Sequence, residues 1–479
     1  MSIREKSILG IFWVFTQQFS NQAINFVVSI FLARILMPAD FGLIGMITVF
    51  MALSQVLLNS GLTQSIIRQT NPTQIDYSTV FFFNMGASVI LYITLFFSAG
   101  FVANFYSQPE LVSIIRVYTL TLIINACGAV QFTRLTKQMD FKTQMMVTVP
   151  SLVISGLAGV TMAYMGFGVW ALVYMSLLQT VLRTIQIWIK SKWMPSLEFN
   201  VERFKYHIGF SYKLGISGVL YTLYSNIYQI VIGKFFAPAQ VGFYTRAASM
   251  RDLPVSNISN ALSKVTYPLF AEIKDDNPRL KRVYKMMMQS IIFVLCPVMI
   301  YLIVVAEPLF RLLFTEKWLP AVPYFQILCI SGILYPLHSY NLNILNVKGR
   351  SDLFLKLESI KIFLGVIVII ISIRYGIIAL LWGQLLSSIL ALVINSYYSG
   401  NFINYKLFDQ LNDIAPTLFL ASIIGVAAWF LDSCLFVNFN DILRILVLAL
   451  MGLLLYIVGS HLFKFEAYIN IISLIKNRR

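Results

Sequence analysis

Apolar runs long enough to cross a hydrocarbon core as helices, about 20 residues each, recur along the whole chain between short polar connections. In the first part they fall at Ile8–Ala33, Phe41–Ile67, Thr79–Phe101, Val112–Phe132, Met146–Met165 and Gly168–Ile189. A polar stretch follows, then Gly215–Phe235, Val241–Phe270, Met286–Ala306, Ala321–Asn346, Ile360–Ile373, Ile377–Tyr398, Ala415–Phe436 and Ile442–Phe463. The eleventh reaches full length by extending back toward Leu353, and the eighth is the most charged, with Arg246, Arg251, Asp252 and Lys264. Barrel strands would alternate in and out over about ten residues, and these runs do not. The pattern predicts an all-α polytopic membrane protein of about fourteen transmembrane helices.

Composition agrees. Of the 479 residues 58% are apolar and 12% charged, with a mean hydropathy of +0.77. A soluble chain carries roughly 25% charged residues because water covers it. Half that fraction leaves lipid as the solvent.

The net charge of +16 suggests nucleic acid only until the charges are located. With both termini placed in the cytoplasm, five of the 36 Lys and Arg fall in outward loops: Arg34, Lys234, Arg311, Lys317 and Arg374. Inward loops are dense by comparison, as at Lys190, Lys192, Arg203, Lys205 and Lys213, or Lys274, Arg279, Lys281, Arg282 and Lys285. This is the positive-inside bias, and one missed span would scramble every later loop. Nucleic acid is therefore excluded as a partner. The first six residues run into the first span without a small-residue cleavage site and read as an uncleaved anchor.

The chain repeats itself. Pro38, Ala39 and Gly42, after the first span, recur as Pro238, Ala239 and Gly242 after the seventh, at an offset of 200 positions, each proline preceded by a basic residue, Arg34 or Lys234. Gly168, Ala171 and Leu172 recur as Gly376, Ala379 and Leu380, at an offset of 208. Both pairs lie six spans apart. Six is even, so equivalent helices run the same way, which implies parallel repeats about a pseudo-two-fold axis along the membrane normal with a cavity between them. The expected organisation is a six-helix lobe over 1–200, a second over 201–400, and over 401–479 two additional helices with a basic cytoplasmic tail.

Polar side chains inside lipid face a partner helix or a water-filled cavity. On the first span Gln18, Asn21, Gln22, Asn25 and Ser29 share one helical face, and on the seventh Ser217, Tyr221, Thr222, Ser225 and Gln229 do the same. Interhelical hydrogen bonding is the plainer reading; the length and duplication of the stripes favour a cavity. On the eighth span Arg246, Asn257, Asn260 and Lys264 fall within about 60° of one another at about 100° per residue. Arg246 and Lys264 lie near its ends, where they can snorkel. Arg251 lies near its middle, at an insertion cost of roughly 2.5–3.5 kcal/mol, and is either a substrate contact or half of a structural ion pair. Adjacent Asp252 is not its helix-face partner. The second span offers the uncharged set Gln55, Asn59, Ser60 and Gln64. The turn residues Pro38, Gly42, Pro238 and Gly242 read as helix starts, and Trp318, beside Glu316 and Lys317, as an interfacial anchor.

Cys127, Cys296, Cys329 and Cys434 fall inside spans without metal-ligand spacing and read as core residues. No phosphate-binding G-x-x-x-x-G-K-[ST] loop occurs. His207, His338 and His461 form no metal or triad pattern, and no metal or cofactor is expected.

Leu32-Ala33-Arg34-Ile35-Leu36-Met37-Pro38-Ala39-Asp40-Phe41-Gly42 resembles the first-helix signature of the polysaccharide transport family. These are the Wzx-type flippases of the multidrug/oligosaccharidyl-lipid/polysaccharide exporter superfamily. Leu312-Leu313-Phe314-Thr315-Glu316-Lys317-Trp318-Leu319-Pro320-Ala321 resembles a second family segment, with Thr315 where Gly is usual. The likeness spans nearly the whole chain and is nearest the colanic-acid-exporter-like branch. It implies two six-helix lobes and alternating access in a bacterial inner membrane. It also implies a polyprenyl-pyrophosphate-linked oligosaccharide moved to the periplasmic leaflet for surface polysaccharide synthesis, and work beside polymerase and chain-length machinery. By analogy with peptidoglycan-precursor flippases, whose cavity arginines engage pyrophosphate, Arg34, Arg246 and Arg251 would play that part. These segments are structural and do not fix the sugar.

Two rivals stand beside this expectation. A multidrug antiporter of the same fold needs a membrane-embedded acid, and the first span has none. A membrane glycosyltransferase or polymerase needs a large outward catalytic loop, and the longest here runs roughly from Glu307 to Pro320.

Overall fold

The computed structural model describes residues 3–59 and 62–476, with the side chains at 3–8, 59, 210–214, 260–265, 351, 471 and 474–476 outside the description. Those residues form helices without a strand among them, and the described residues of each predicted span fall mainly on helix. Among the described residues, ten helical segments are long and apolar enough to cross a membrane. The first, seventh, eighth and eleventh spans fall outside that set, and they carry the polar stripes or, on the eleventh, Lys356, Glu358 and Lys361.

The chain divides into two compact units, Met1–Gly242 and Phe243–Arg479. The first begins with α1 (Ile3–Ile35), α2 (Pro38–Asn59), α3 (Leu62–Arg68) and α4 (Gln74–Tyr106). It continues with α5 (Leu111–Tyr118), α6 (Leu120–Lys137), α7 (Phe141–Tyr164), α8 (Val169–Ser191), α9 (Val201–Ser225) and α10 (Ile227–Phe235), and it ends on the first turn of α11 (Pro238–Glu272).

Short polar side chains set the helix starts by accepting backbone N–H groups that a first turn leaves unpaired. Thr73 and Asp76 form a capping box on α4, the Thr73 N–H donating to Asp76 Oδ2 at 2.7 Å. Asp140 caps α7 through Thr143 N–H at 3.0 Å, and Asn200 caps α9 through the N–H groups of Glu202 and Arg203. Small residues then set how closely the helices approach, as in lipid, where packing replaces hydrophobic attraction between helices. A Cβ on Gly156 of α7 would lie 2.6 Å from Val28 of α1, and one on Gly159 would lie 2.7 Å from Met175 Sδ of α8. Between α6 and α8, Thr184 Oγ1 donates to Ile124 O at 3.0 Å and Trp188 Nε1 to Cys127 O at 2.9 Å. The seventh span is not one rod. It breaks at Asn226, whose side-chain Nδ2 donates back to Thr222 O at 2.8 Å.

The repeated Pro–Ala–Gly segments meet. A Cβ on Gly42 would stand 1.8 Å from Pro238 O, and one on Gly242 would stand 2.0 Å from Pro38 O. Each proline starts its helix and each glycine receives the other helix's first carbonyl, so the contact is reciprocal, as two copies of one element related by a two-fold would make it. The second repeated pair agrees: Gly168 and Gly376 precede α8 and α16 (Ile377–Ile403) with φ of +54° and +91°, a region side chains rarely enter.

At the basic-loop end of this unit, ahead of the predicted span Gly215–Phe235, His207 of α9 is buried. Its Nδ1 lies 2.8 Å from Ser65 Oγ and its Nε2 lies 3.6 Å from Asp76 Oδ1, which Arg203 also approaches at 3.6 Å. Burial holds the imidazole below its usual 6.5, against the pull of Asp76.

The second unit takes the rest of α11, then α12 (Asn277–Val304), α13 (Ala306–Phe314), a tight turn over Glu316–Ala321, α14 (Val322–Val347), α15 (Ser351–Ser372) and α16. It ends with α17 (Leu407–Leu431), α18 (Asp441–Leu462) and α19 (Glu466–Lys476). Trp318 is fully buried rather than an interfacial anchor. Its ring meets Phe243 and Phe314 edge-on or tilted at 5.9 and 6.1 Å, with the Arg246 guanidinium 5.4 Å from its centre. The turn after α13 folds the indole inward, where stacking and cation–π attraction exceed what an interface offers. Asn341, Ser399 and Gln410 tie α14, α16 and α17 together by buried hydrogen bonds, Ser399 Oγ–H donating to Asn341 Oδ1 at 2.5 Å. The last predicted span, α18, docks on α12, Tyr301 O–H donating to Ile445 O at 2.8 Å and Tyr456 O–H to Phe293 O at 2.9 Å.

The exterior is oily: Phe97 and Phe101 of α4 and Leu450 of α18 stand largely exposed. The protein is an integral membrane protein, and in it lipid replaces water as the solvent of the bundle. Of the four cysteines, all free, Cys296 and Cys329 are buried, Cys127 is half-buried and Cys434 is exposed.

Candidate functional site

The first unit contains a polar cavity of about 530 Å³, lined by residues of α2, α3, α4, α5, α6 and α8. Helix α8 contributes Ser176, Gln179, Thr180, Arg183 and Thr184, whose three- and four-residue spacings put them on one side of the helix. From α6 come Thr121, Asn125, Thr133 and Thr136, and Tyr118 stands at the end of α5. Asn84 of α4, Gln55 of α2 and Thr63 of α3 add to the polar lining. Gln55, Asn84, Asn125 and Gln179 lie well inside the apolar segments that contain them, while Thr133 and Thr136 lie near the end of theirs.

Threonine and serine suit such walls because their hydroxyls can satisfy themselves on the helix's own carbonyls. Thr133 Oγ1 donates to Ala129 O at 2.9 Å, Thr136 Oγ1 to Phe132 O at 3.0 Å and Thr180 Oγ1 to Ser176 O at 2.8 Å. A hydroxyl that donates in this way keeps acceptor capacity, and Thr136 Oγ1 uses its own to accept from Gln144 Nε2 at 2.9 Å. The carboxamides are less self-sufficient. Asn84 is only 2% exposed and its Oδ1 meets no donor, an acceptor held ready at a cost.

Arg183 supplies the charge. Its Nη2 donates to Asn125 Oδ1 and its guanidinium sits 5.2 Å from the centre of the Phe132 ring. No carboxylate is among the described residues that line this cavity. A guanidinium carries five donors and stays charged at any physiological pH. The cavity thus presents one fixed positive charge, several amide and hydroxyl groups of both polarities, and two aromatic edges. Such a chamber hydrates or binds a polar, anionic group inside lipid, and ionisable residues buried in a membrane bundle serve pathways of this kind.

Among the described residues, none of those marked from the sequence as cavity candidates lines this chamber, apart from Gln55 of the second-span polar set. On α1, Gln18, Asn25 and Arg34 are exposed while Asn21 and Gln22 are half-buried. On α9 and α10, Tyr221 and Ser225 are exposed on either side of Thr222, and Gln229 Nε2 donates to Gly45 O of α2 at 2.5 Å. In the second unit Arg246 lies over Phe314 and Trp318, at 5.1 and 5.4 Å. Arg251 pairs with its neighbour Asp252, Nε to Oδ1 at 2.8 Å, the arginine 17% and the aspartate 56% exposed. The sequence argument disfavoured that partner because adjacent residues diverge on a helix, yet the long Arg side chain reaches back across the gap. Asn257 Nδ2 donates to Leu253 O at 2.8 Å. Asn260 and Lys264 fall on α11 with side chains outside the described residues.

The signal for Arg183 was present in the chain: a mid-span arginine in the set Ser176, Gln179, Thr180, Arg183 and Thr184 has the same period as the stripes on the first and seventh spans.

Residues 31–323 match the family described as "Polysaccharide biosynthesis protein". The chain is 26% identical over 379 residues to the teichuronic acid biosynthesis protein TuaB of Bacillus subtilis, covering 78% of each protein. It is 24% identical over 405 residues to the lipopolysaccharide biosynthesis protein WzxC of Escherichia coli, covering 83% of this chain and 81% of that one. Among solved structures it resembles the lipid II flippase MurJ in an inward closed conformation, with a TM-score of 0.77 over 97% of this chain and all of that one. At 13% identity that likeness concerns the fold.

Proposed function

The chain belongs to the polysaccharide biosynthesis protein family that its residues 31–323 match, and from that membership we propose that it is a flippase. It carries a polyprenyl-pyrophosphate-linked oligosaccharide repeat unit from the cytoplasmic to the periplasmic leaflet of a bacterial inner membrane, and hands it to surface-polysaccharide polymerisation. Both termini are cytoplasmic in this reading, as the bias of basic loops requires. Two repeats, over 1–200 and 201–400, alternate in access.

The observation that carries the reading is the polar, singly cationic cavity of about 530 Å³ inside an apolar bundle. An unpaired hydroxyl costs roughly 2–7 kcal/mol in an apolar medium, and an isolated anion costs tens by Born solvation. A sugar head therefore cannot cross lipid unaided. The tail gains about 0.8 kcal/mol per buried CH₂ and stays in the bilayer. A lipid-embedded bundle that holds amides, hydroxyls and a guanidinium meets the first requirement without disturbing the second. Arg34, Arg246 and Arg251, with the α1 and α9–α10 stripes, are assigned to the path of the pyrophosphate and the sugars beyond this chamber. Export of cationic drugs fits poorly, since a fixed guanidinium repels them and no carboxylate lines the cavity to attract them.

The test is reconstitution into vesicles with a labelled lipid-linked oligosaccharide in one leaflet, followed by an impermeant lectin or glycosidase that reads the other. Transfer should exceed that of protein-free vesicles by at least tenfold. Transfer at the protein-free rate, with a cationic dye transported instead, refutes the reading.

A further inference from the structure

We propose that the cavity of the first unit is a subsite for an acidic sugar, a hexuronate-type monoanion whose carboxylate is held by Arg183. The proposal rests on the reading of the chain as an oligosaccharide carrier and names the part of the cargo that this chamber takes.

Charge decides between the two anionic pieces of such a cargo. A pyrophosphate diester brings two negative charges, and among the described residues of the lining the cavity offers one guanidinium and no second cation. One charge would stay uncompensated in a low-dielectric bundle, where unpaired charges are most costly. A single carboxylate matches Arg183 one to one, and its two oxygens fit the parallel donors of a guanidinium. Arg183 is also prepared for it. Asn125 Oδ1 takes one Nη2 hydrogen and Phe132 lies 5.2 Å from the guanidinium carbon, which fix the plane of the group without consuming its charge.

The neutral lining matches the rest of a sugar ring. Every sugar hydroxyl is both donor and acceptor, and so are carboxamides and hydroxyls. Gln55, Asn84 and Gln179 reach the cavity from three different helices, so a ring would be met from several sides. The unmet Oδ1 of Asn84, on a side chain only 2% exposed, is an acceptor that a sugar O–H can satisfy and an inorganic anion cannot. The volume of about 530 Å³ lies within the roughly 300–1,000 Å³ of pockets that enclose small ligands.

The experiment uses the full chain purified in detergent, in a buffer of a bulky non-coordinating anion. Thermal stabilisation is measured against sodium glucuronate, glucose, inorganic pyrophosphate and sodium chloride. Glucuronate should stabilise saturably, glucose and chloride at the same concentration should not, and R183Q should weaken the glucuronate response at least tenfold. R183K, which keeps the charge but not the fork, should weaken it several-fold and serves if R183Q does not fold. A pyrophosphate response larger than that of glucuronate, an equal response to chloride, no glucuronate response at all, or full glucuronate affinity in R183K each overturns the proposal. The vesicle assay separates this from the carrier reading. With acidic and neutral repeat units as cargo, R183Q should lose selectively the acidic one; equal transfer of both sinks the subsite alone, whereas a wild-type protein that moves neither sinks the carrier reading.

Discussion

Gly42→Ala is the smallest change that tests whether the paired repeats touch as the structure shows. The added Cβ would lie 1.8 Å from Pro238 O and 2.5 Å from Pro238 C. A carbon and a carbonyl oxygen tolerate about 3.3 Å at closest ordinary approach, so roughly 1.5 Å must open. The obstacle is backbone, fixed by a proline at the start of α11, and cannot rotate away. Overpacking of this kind costs typically 1–3 kcal/mol, and the upper part of that range is expected here. Gly242→Ala should cost about as much, since its Cβ would meet Pro38 O at 2.0 Å. The double variant should cost clearly less than the sum, because separation forced by the first methyl makes room for the second; neighbouring sites couple in this way. Gly86→Ala and Gly100→Ala, with nothing within 4 Å of the new carbon, are controls that should hold or gain slightly from helix propensity. The assay is the temperature at which half of the detergent-solubilised protein leaves the monodisperse peak, paired with initial transfer rates in vesicles. If Gly42→Ala and Gly242→Ala melt with the controls, or if their costs simply add, the reciprocal contact is not made in the membrane.

The Arg251–Asp252 pair separates structural from substrate roles. If Arg251 belongs to the transport path, R251E and R251Q should abolish surface polysaccharide with protein level intact while D252N keeps it, and equal defects in R251Q and D252N would reduce the arginine to a partner of Asp252. His207, buried against Asp76 and Ser65, has a depressed pKa. The folded state therefore takes up its proton less readily than the unfolded one, so the contribution is full above pH 6.5 and is lost as pH falls through the lower, folded-state value. The wild type should lose thermal stability below about pH 6.5, the unperturbed imidazole value, more steeply than H207Q, and parallel pH profiles of the two would refute this.

Helical spans were legible in the chain because lipid forces each segment to satisfy its own backbone, so the hydrophobic run alone specifies the element. The recurring segments were legible for a related reason: Pro38 with Gly42 and Pro238 with Gly242 meet backbone to backbone, and such requirements leave fixed residue types at fixed places. Span interruptions were less visible. Asn226 splits the seventh span by bonding its own helix at Thr222, and a hydropathy window averages over such a break.

Faces are another matter. Periodicity says that Gln18, Asn21, Gln22 and Asn25 share a side of α1, and equally that Ser176, Gln179, Thr180 and Arg183 share a side of α8. It cannot say which side another helix covers. That depends on close approaches such as Gly156 on Val28 and Gly159 on Met175, set by steric fit between residues distant in the chain. The same applies to Trp318, polar in its sequence surroundings yet drawn into an aromatic core by the turn after α13. Composition and period thus determined the solvent, the elements and the kinship of the halves, since each of these is a local demand on the backbone. Only helix packing, which is a relation between side chains far apart in sequence, decided that Arg183 faces a polar chamber of the first unit.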